Sequence, residues 1–297
     1  MVRAEQAFDW VTTRQRPNGG YFEVQNNEKP SDWERTGLPE ASTIATAFVA
    51  HGLASAILAG LPPKASYERC LKQMAHWLLS IEYPPGSGIF PHHERSPYDT
   101  LNANLHAAES LVMIFMALNE VYGVPVNIFR QGAGRAIRHT LTLQWDSGCF
   151  PYRDYGHVTI NYTSLVVWCL QNVLDHLPQN TWAMPHWASE GECRAAVARA
   201  AGFLRSCVAP DGELLWDDNE TSTAKHNTWT YGLTASVLMR AGDEESRDTA
   251  CRLLRFLMGQ RTNSGLLRMR DCGEDITECA YKQADMFLFL QDVLASP

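Results

Sequence analysis

The chain has 297 residues, of which 45% are hydrophobic and 20% charged, the balance of a folded globular protein rather than a disordered one. Its formal net charge of −8 argues against nucleic acid as a main partner, since neutralising phosphates needs a basic face and no run of Lys or Arg supplies one. The longest apolar stretches are broken by His51, Glu109 or Asn172, so none reads as a membrane span; the opening MVRAEQAFDW has no apolar core of an export signal.

In chain order, five segments repeat one grammar: a one-sided helix, a short Gly-containing turn ending in an apolar residue, a polar loop, and a very apolar helix. The first turn, QRPNGGYF (15–22), leads to STIATAFVAHGLASAIL (42–58). In YERCLKQMAHWLLSIE (67–82), Leu71, Met74, Leu78 and Ile81 form one stripe while Glu68, Lys72 and Gln73 lie elsewhere, as on a surface helix. The turn PPGSGIF (84–90) then precedes NLHAAESLVMIFMAL (104–118), and WDSGCF (145–150) precedes YTSLVVWCLQNVL (162–174). The loop 177–191 interrupts the spacing with Trp182, Trp187 and two prolines, suited to packing on the surface helices or to covering a site. A second one-sided helix puts Val197, Ala201 and Leu204 inward and Arg194, Arg199 and Arg205 outward, before PDGELLW (210–216) and TWTYGLTASVLM (228–239). The last turn, TNSGLL (262–267), is followed by ADMFLFLQDVL (284–294).

The turn glycines Gly20, Gly88, Gly148, Gly212 and Gly265 recur roughly every 60 residues, the length of two helices with their loops. A helix without a polar face must be buried on all sides. Alternating half-buried and fully buried helices therefore predict an all-α fold, an α/α toroid of about five helical hairpins in inner and outer rings, as a single domain over 1–297. An open solenoid of the same hairpins would leave its ends half-covered. The 8 cysteines mostly sit within apolar helical patterns, and no C-x-x-C pair appears, so neither a zinc site nor a disulfide scaffold is expected. A reducing, cytoplasmic location fits that usage.

The Gln-x-x-x-Gly-aromatic turn leading into an apolar helix resembles the α/α-toroid superfamily. That group spans six-hairpin glycosidases, polysaccharide lyases, uronyl epimerases, and terpenoid cyclase and prenyltransferase domains. ERTGLPEASTIATAFVAHGL (34–53) resembles helical-toroid proteins encoded among polysaccharide genes, and FPYRDYGHVTINYTSLVVWCL (150–170) resembles uronyl epimerase-like toroids. This resemblance implies a carbohydrate-active enzyme (lyase, hydrolase or epimerase) acting on an oligosaccharide or uronic acid, without a metal or other cofactor. The alternatives are a terpenoid cyclase-like enzyme and a non-catalytic glycan- or protein-binding toroid. The Asp-x-Asp-Asp motif of protonating cyclases is matched only by Asp217-Asp218, without its first acid.

In a closed toroid, polar residues that open the inner helices face one shared cavity. Glu40, Ser42 and Thr43 open the first; Asp99, Asn102, Asn104 and His106 the second; Thr159, Asn161 and Tyr162 the third. His226, Asn227, Trp229 and Tyr231 open the fourth, and Glu278, Tyr281 and Lys282 the fifth. Glycosidic hydrolysis asks for two carboxyl groups, and Glu40, Asp218 and Glu278 are the candidate acids. Lyase or epimerase chemistry instead asks for a base, which His106, Tyr162, His226 or Tyr231 could supply. Asn102, Asn104, Asn161, Asn227, Lys282 and Arg268 could bind the substrate or ease its developing charge. Trp33, Tyr152, Trp216, Trp229 and Tyr281 offer aromatic or phenolic contacts. Each has a plainer role too: Ser42 and Asp99 suit helix caps, and His106 and the tyrosines suit satisfied core positions. His92-His93-Glu94 could suggest a metal, but neighbouring residues rarely share a face.

Overall fold

The computed structural model describes residues 2–22, 40–94, 96, 98–152, 158–177, 187–215, 228–268, 270, 271, 274, 275, 289–291 and 293. Among them, helices α1 (Val2–Thr12), α2 (Thr43–Leu58), α3 (Ala65–Ile81), α4 (Leu101–Glu120) and α5 (Asn127–Thr142) are followed by α6 (Ile160–His176), α7 (Glu190–Ser206), α8 (Thr228–Ala241) and α9 (Glu244–Gly259). Short strands β1 (Tyr21–Phe22) and β2 (Ala41–Ser42) pair antiparallel, as do β3 (Arg270–Asp271) and β4 (Glu274–Asp275). The fold is all-α, as the periodicity predicts. The fifth apolar helix falls largely outside the described residues; of it, Phe289, Leu290, Gln291 and Val293 are helical.

The described residues form two compact units, Met1–Thr142 with Asn172–Ser189, and Leu143–Gln171 with Glu190–Pro297. In the first, α4 packs against α2, α3 and α5, and Ser110 Oγ donates to the Ala47 carbonyl of α2 at 3.0 Å. Helix α4 is long and apolar enough to cross a membrane, yet 94% of that stretch is buried inside the protein. On α3 the buried face carries Leu71, Met74 and Leu78, as the stripe predicts, with Cys70 and Trp77 beside them. Trp187 packs on α5, where Gly134 leaves room for its indole. In the second unit α8 packs against α7 and α9, and Ser164 of α6 and Thr234 of α8 share a hydrogen bond of 2.9 Å. Cys70, Cys149, Cys169, Cys193, Cys207 and Cys251 are all free thiols, the first five buried.

The repeating turns make a repeating contact. Gly88 has φ +82°, and a Cβ there would lie 2.4 Å from the Arg135 carbonyl of α5; at Gly148, with φ +93°, it would lie 2.3 Å from the Arg199 carbonyl of α7. Gly212 approaches the Arg252 carbonyl of α9 in the same way. In the first turn the corresponding residue is Gly19, which meets the Gln73 carbonyl of α3, rather than Gly20. Each of these four turns is thus pressed against the backbone of the next odd-numbered helix, closer than any side chain allows.

A glutamine four residues upstream holds two of these contacts. Gln15 Nε2 donates to the carbonyls of Gly19 (2.9 Å) and Cys70 (3.0 Å), and Gln144 Nε2 to those of Gly148 (2.9 Å) and Ala196 (2.8 Å). In the second turn Glu82 does this work, accepting from the Gly88 amide at 2.7 Å and from Arg135 Nε and Nη2 at 2.8 and 2.6 Å. Burial alone would raise the Glu82 carboxyl, but those donors hold it below its ordinary range.

The other side of each turn is fastened to the helix that follows. Two residues past the glycine, the backbone amides of Tyr21, Phe90, Phe150 and Leu214 donate to Thr46 Oγ1 (2.8 Å), Asn104 Oδ1 (2.6 Å), Thr163 Oγ1 (3.2 Å) and the Tyr231 hydroxyl (3.0 Å). Every acceptor is the fourth residue of its helix, in α2, α4, α6 and α8. A buried N–H left unmatched costs about 1–3 kcal/mol, so a polar side chain at this position is demanded by the turn. Sequence spacing alone does not reveal it, because intervening loops of different length hide the common register.

Gly148→Ala should destabilise the protein by about 2 kcal/mol or more, through both φ and the collision with Arg199. Gly265 also has positive φ, +88°, but a Cβ there meets nothing within 4 Å, so Gly265→Ala should cost about 1 kcal/mol. Urea denaturation of the two variants should give that order; equal losses would show that the close approach does not matter.

Candidate functional site

The three polar residues that interrupt the apolar stretches meet one another. His51 Nδ1 of α2 lies 2.8 Å from Glu109 Oε1 of α4, and Asn172 Nδ2 donates to the same oxygen at 2.6 Å. His106, one turn before Glu109, places Nδ1 4.0 Å from Oε2. Glu109, His106 and Asn172 are buried, whereas the His51 side chain keeps 21% of its surface exposed, and Phe48, three residues before it on the same helix, keeps 41%. The Phe48 ring lies 4.9 Å from the His106 ring. Helix α2 is therefore not buried all round, contrary to the expectation from its composition: the face carrying Phe48 and His51 is open.

Electrostatics give these groups distinct states. Burial would push the Glu109 carboxyl up, but the charge and hydrogen bond of His51, the charge of His106 and the Asn172 amide bring it below its ordinary value. Burial pushes His106 down to about 4, the nearby His51 and His92 add to that, and Glu109 only partly offsets it. At neutral pH, then, Glu109 is a carboxylate and His106 a neutral imidazole. An ionised carboxylate only accepts, so across the 2.8 Å contact the proton belongs to His51 Nδ1. A carboxylate-oriented imidazole on an open helix face is equipped to remove a proton from a bound molecule.

The other candidates of this unit are placed as follows. Glu40 is half-buried just before β2, and Ser42 caps α2 by accepting from the Ala45 amide at 3.3 Å. Asn104 is the turn fastener described above and donates through Nδ2 to Asp99 at 2.7 Å; Asp99 also faces His139 Nε2 at 2.5 Å, so it braces the turn on α5 rather than capping α4. Asn102 is buried, and its Oδ1 has no hydrogen-bond partner. The rings of His92 and His93 stack at 4.4 Å, and Glu94 Oε1 accepts from Trp77 Nε1 (3.0 Å) and Asn18 Nδ2 (2.5 Å), which ties it to α3 and the first turn.

In the second unit, Tyr152 and Tyr162 stack at 3.9 Å at the head of α6, with Asn161 buried beside them in sequence. Tyr231 stacks on Phe256 at 5.2 Å and fastens the fourth turn; burial raises its phenol to about 12, with the Leu214 amide opposing, which makes it a poor base. Trp229 is half-buried near the Phe289 ring, and Arg268 is exposed beyond the fifth turn. Trp33, Trp216, Asp218, His226, Asn227, Glu278, Tyr281 and Lys282 lie outside the described residues, as do Trp182 and Asp217. Sequence reasoning passed over His51, Glu109 and Asn172 as site residues, although each was conspicuous as a polar break in an apolar helix.

No protein-family model matches the chain, and no curated protein matches it. Solved structures do match. A family 88 glycosyl hydrolase from Bacteroides vulgatus superposes with a TM-score of 0.67 at 11% identity, over 97% of this chain and 84% of that one. A D-mannose isomerase gives 0.66 at 13% identity, over 99% and 85%. The cellobiose 2-epimerase of Bacillus thermoamylovorans gives 0.65 at 13% identity, over 84% and 71%. The fold is the α/α toroid. Within that fold, the His51–Glu109 pair joins two of the apolar helices that the turns fasten in place.

The acid–base states carry a stability consequence. His106 has a folded value near 4 against about 6.5 unfolded, so between those values the unfolded chain binds a proton that the folded protein refuses. Stability is then full above pH 6.5 and falls as pH drops towards 4, by up to about 1.4 kcal/mol per pH unit. Glu109, also depressed, adds a loss of the same sign below its ordinary range. Urea midpoints across pH 4–7 should fall in this way for the native protein, and His106→Gln should flatten the slope between pH 6.5 and 4.5. An unchanged slope would mean that His106 is not buried neutral.

Proposed function

We propose that this protein is a carbohydrate-active enzyme, and that its chemistry is proton transfer at a carbon activated by a sugar carbonyl or uronate carboxylate, as an epimerase, isomerase or lyase requires. The observation that carries this reading is the His51–Glu109 pair. Glu109 orients the His51 imidazole, which takes the substrate proton as the base, and stabilises the imidazolium that results. His106, held neutral, can donate or accept a hydrogen bond without adding charge. Phe48 gives the apolar face on which a sugar ring stacks.

The toroid comparisons support the substrate class: the structures it resembles include a D-mannose isomerase and a cellobiose 2-epimerase as well as hydrolases. Glu109 and Asp99 are both held by internal partners; of the candidate acids for glycosidic hydrolysis, Glu40 is half-buried before β2, and Asp218 and Glu278 lie outside the described residues. A small-molecule sugar or oligosaccharide is the partner this site fits.

In deuterated water, the protein should exchange the hydrogen next to the carbonyl of a reducing sugar, or of a uronate, as read by proton NMR over a panel of both. His51→Ala should lower that exchange about 100- to 10,000-fold while leaving the helical circular dichroism intact. Undiminished exchange in His51→Ala would remove it as the base. New reducing ends without exchange in the native protein would point to hydrolysis and overturn the reading.

A further inference from the structure

The second residue of two apolar helices is the same residue in the same state. Asn102 is second in α4 and Asn161 second in α6, each two positions before the residue that fastens its turn, Asn104 and Thr163. Asn102 is 5% exposed and Asn161 4%, and in both the Oδ1 atom is buried without a hydrogen-bond partner. An orphaned buried amide oxygen costs about 1–3 kcal/mol, so one such group calls for an explanation. Its recurrence at one register position, once in each unit, is not explained by turn geometry, because the turn uses the fourth position and not the second.

The second unit adds two more such groups. Thr159 Oγ1, just before α6, and Thr230 Oγ1, third residue of α8, are likewise buried and unpartnered. The Ser164–Thr234 hydrogen bond joins α6 to α8 one turn further along, which puts Thr230 and the head of α6 at the same level of these two helices. The stacked Tyr152 and Tyr162 rings stand at that head. An amide oxygen needs a donor, and the threonine hydroxyls can serve as either donor or acceptor. A carboxylate or phosphate oxygen, which only accepts, cannot satisfy Asn161 Oδ1. A sugar hydroxyl can, because it donates and accepts at once.

We infer that Asn161 is a substrate-binding residue that receives a hydroxyl group of a sugar ring at the head of α6, with Thr159 and Thr230 of the same unit sharing the ring's hydroxyls. This rests on the carbohydrate reading for its class of ligand, but not on His51. The Asn161 amide oxygen is unsatisfied in the unliganded protein and is matched when a hydroxyl arrives, so part of the stability of the empty fold is exchanged for affinity.

The test uses ring sugars that bind but cannot react: the methyl glycosides of mannose, glucose and galactose, titrated into the full protein by calorimetry. At least one should bind the native protein, and Asn161→Ala should raise its Kd about five- to tenfold, the worth of one hydrogen bond. The unfolding midpoint of the unliganded variants should stay the same or rise, since an unsatisfied buried group has been deleted. Asn161→Leu, which fills the space without polar atoms, should weaken binding without lowering the midpoint. Unchanged Kd in the variants, no binding of any glycoside to the native protein, or a midpoint that falls as for a lost structural hydrogen bond would each overturn the inference. Binding without hydrogen exchange at His51 would leave the inference standing and remove the proposed reaction; exchange with unaltered binding in the asparagine variants would do the reverse.

Discussion

The contact between the glycine of each of the first four turns and a carbonyl of the next odd-numbered helix is the constraint on which the rest of this structure depends. No side chain fits at that distance, and the backbone conformation is one that glycine alone adopts at little cost. Once the turn is pressed onto the helix, its carbonyls and N–H groups lose water and need partners. Gln15 and Gln144 meet the need from one side, Glu82 with Arg135 in the second turn, and the fourth residue of the following helix meets it from the other. The hairpin is thereby defined at both ends by hydrogen bonds that water can no longer supply.

That fastening sorts the polar residues at the helix heads into two groups. Asn104 and Tyr231 are consumed by the turns, which makes the first a strut and gives the second a phenol too reluctant to ionise for base chemistry. Asn102 and Asn161, two residues away, are not consumed. About half a helical turn separates the residue that fastens the turn from the one left unpartnered, and the difference lies in which atom the preceding turn can reach.

Deeper along α2 and α4, burial does different work. In a medium of low dielectric a lone carboxylate would protonate and a lone imidazole would stay neutral. Glu109 escapes that fate because His51 and Asn172 stand against one oxygen, whereas His106, at 4.0 Å from the other, gains too little to offset its burial. Two imidazoles close to one acid therefore differ in their hold on it, at 2.8 and 4.0 Å, and in their access to water.

The all-α class, the alternation of one-sided and apolar helices, the turn glycines and the buried thiols are determined by sequence alone, because each follows from periodicity or local backbone conformation. So was the oddity of His51, Glu109 and Asn172, whose polarity breaks runs that are otherwise apolar. What the sequence could not decide is pairing. His51 and Glu109 are 58 positions apart by their numbers, and Asn172 is 63 beyond Glu109, so only packing of α2, α4 and the end of α6 brings them to one point. The choice of Gly19 over Gly20 in the first turn, and the split between Asn102 and Asn104, were likewise settled by which backbone group lay opposite. Local sequence fixes what a residue can do; the tertiary neighbours, by removing water and offering partners, decide which of those things it does.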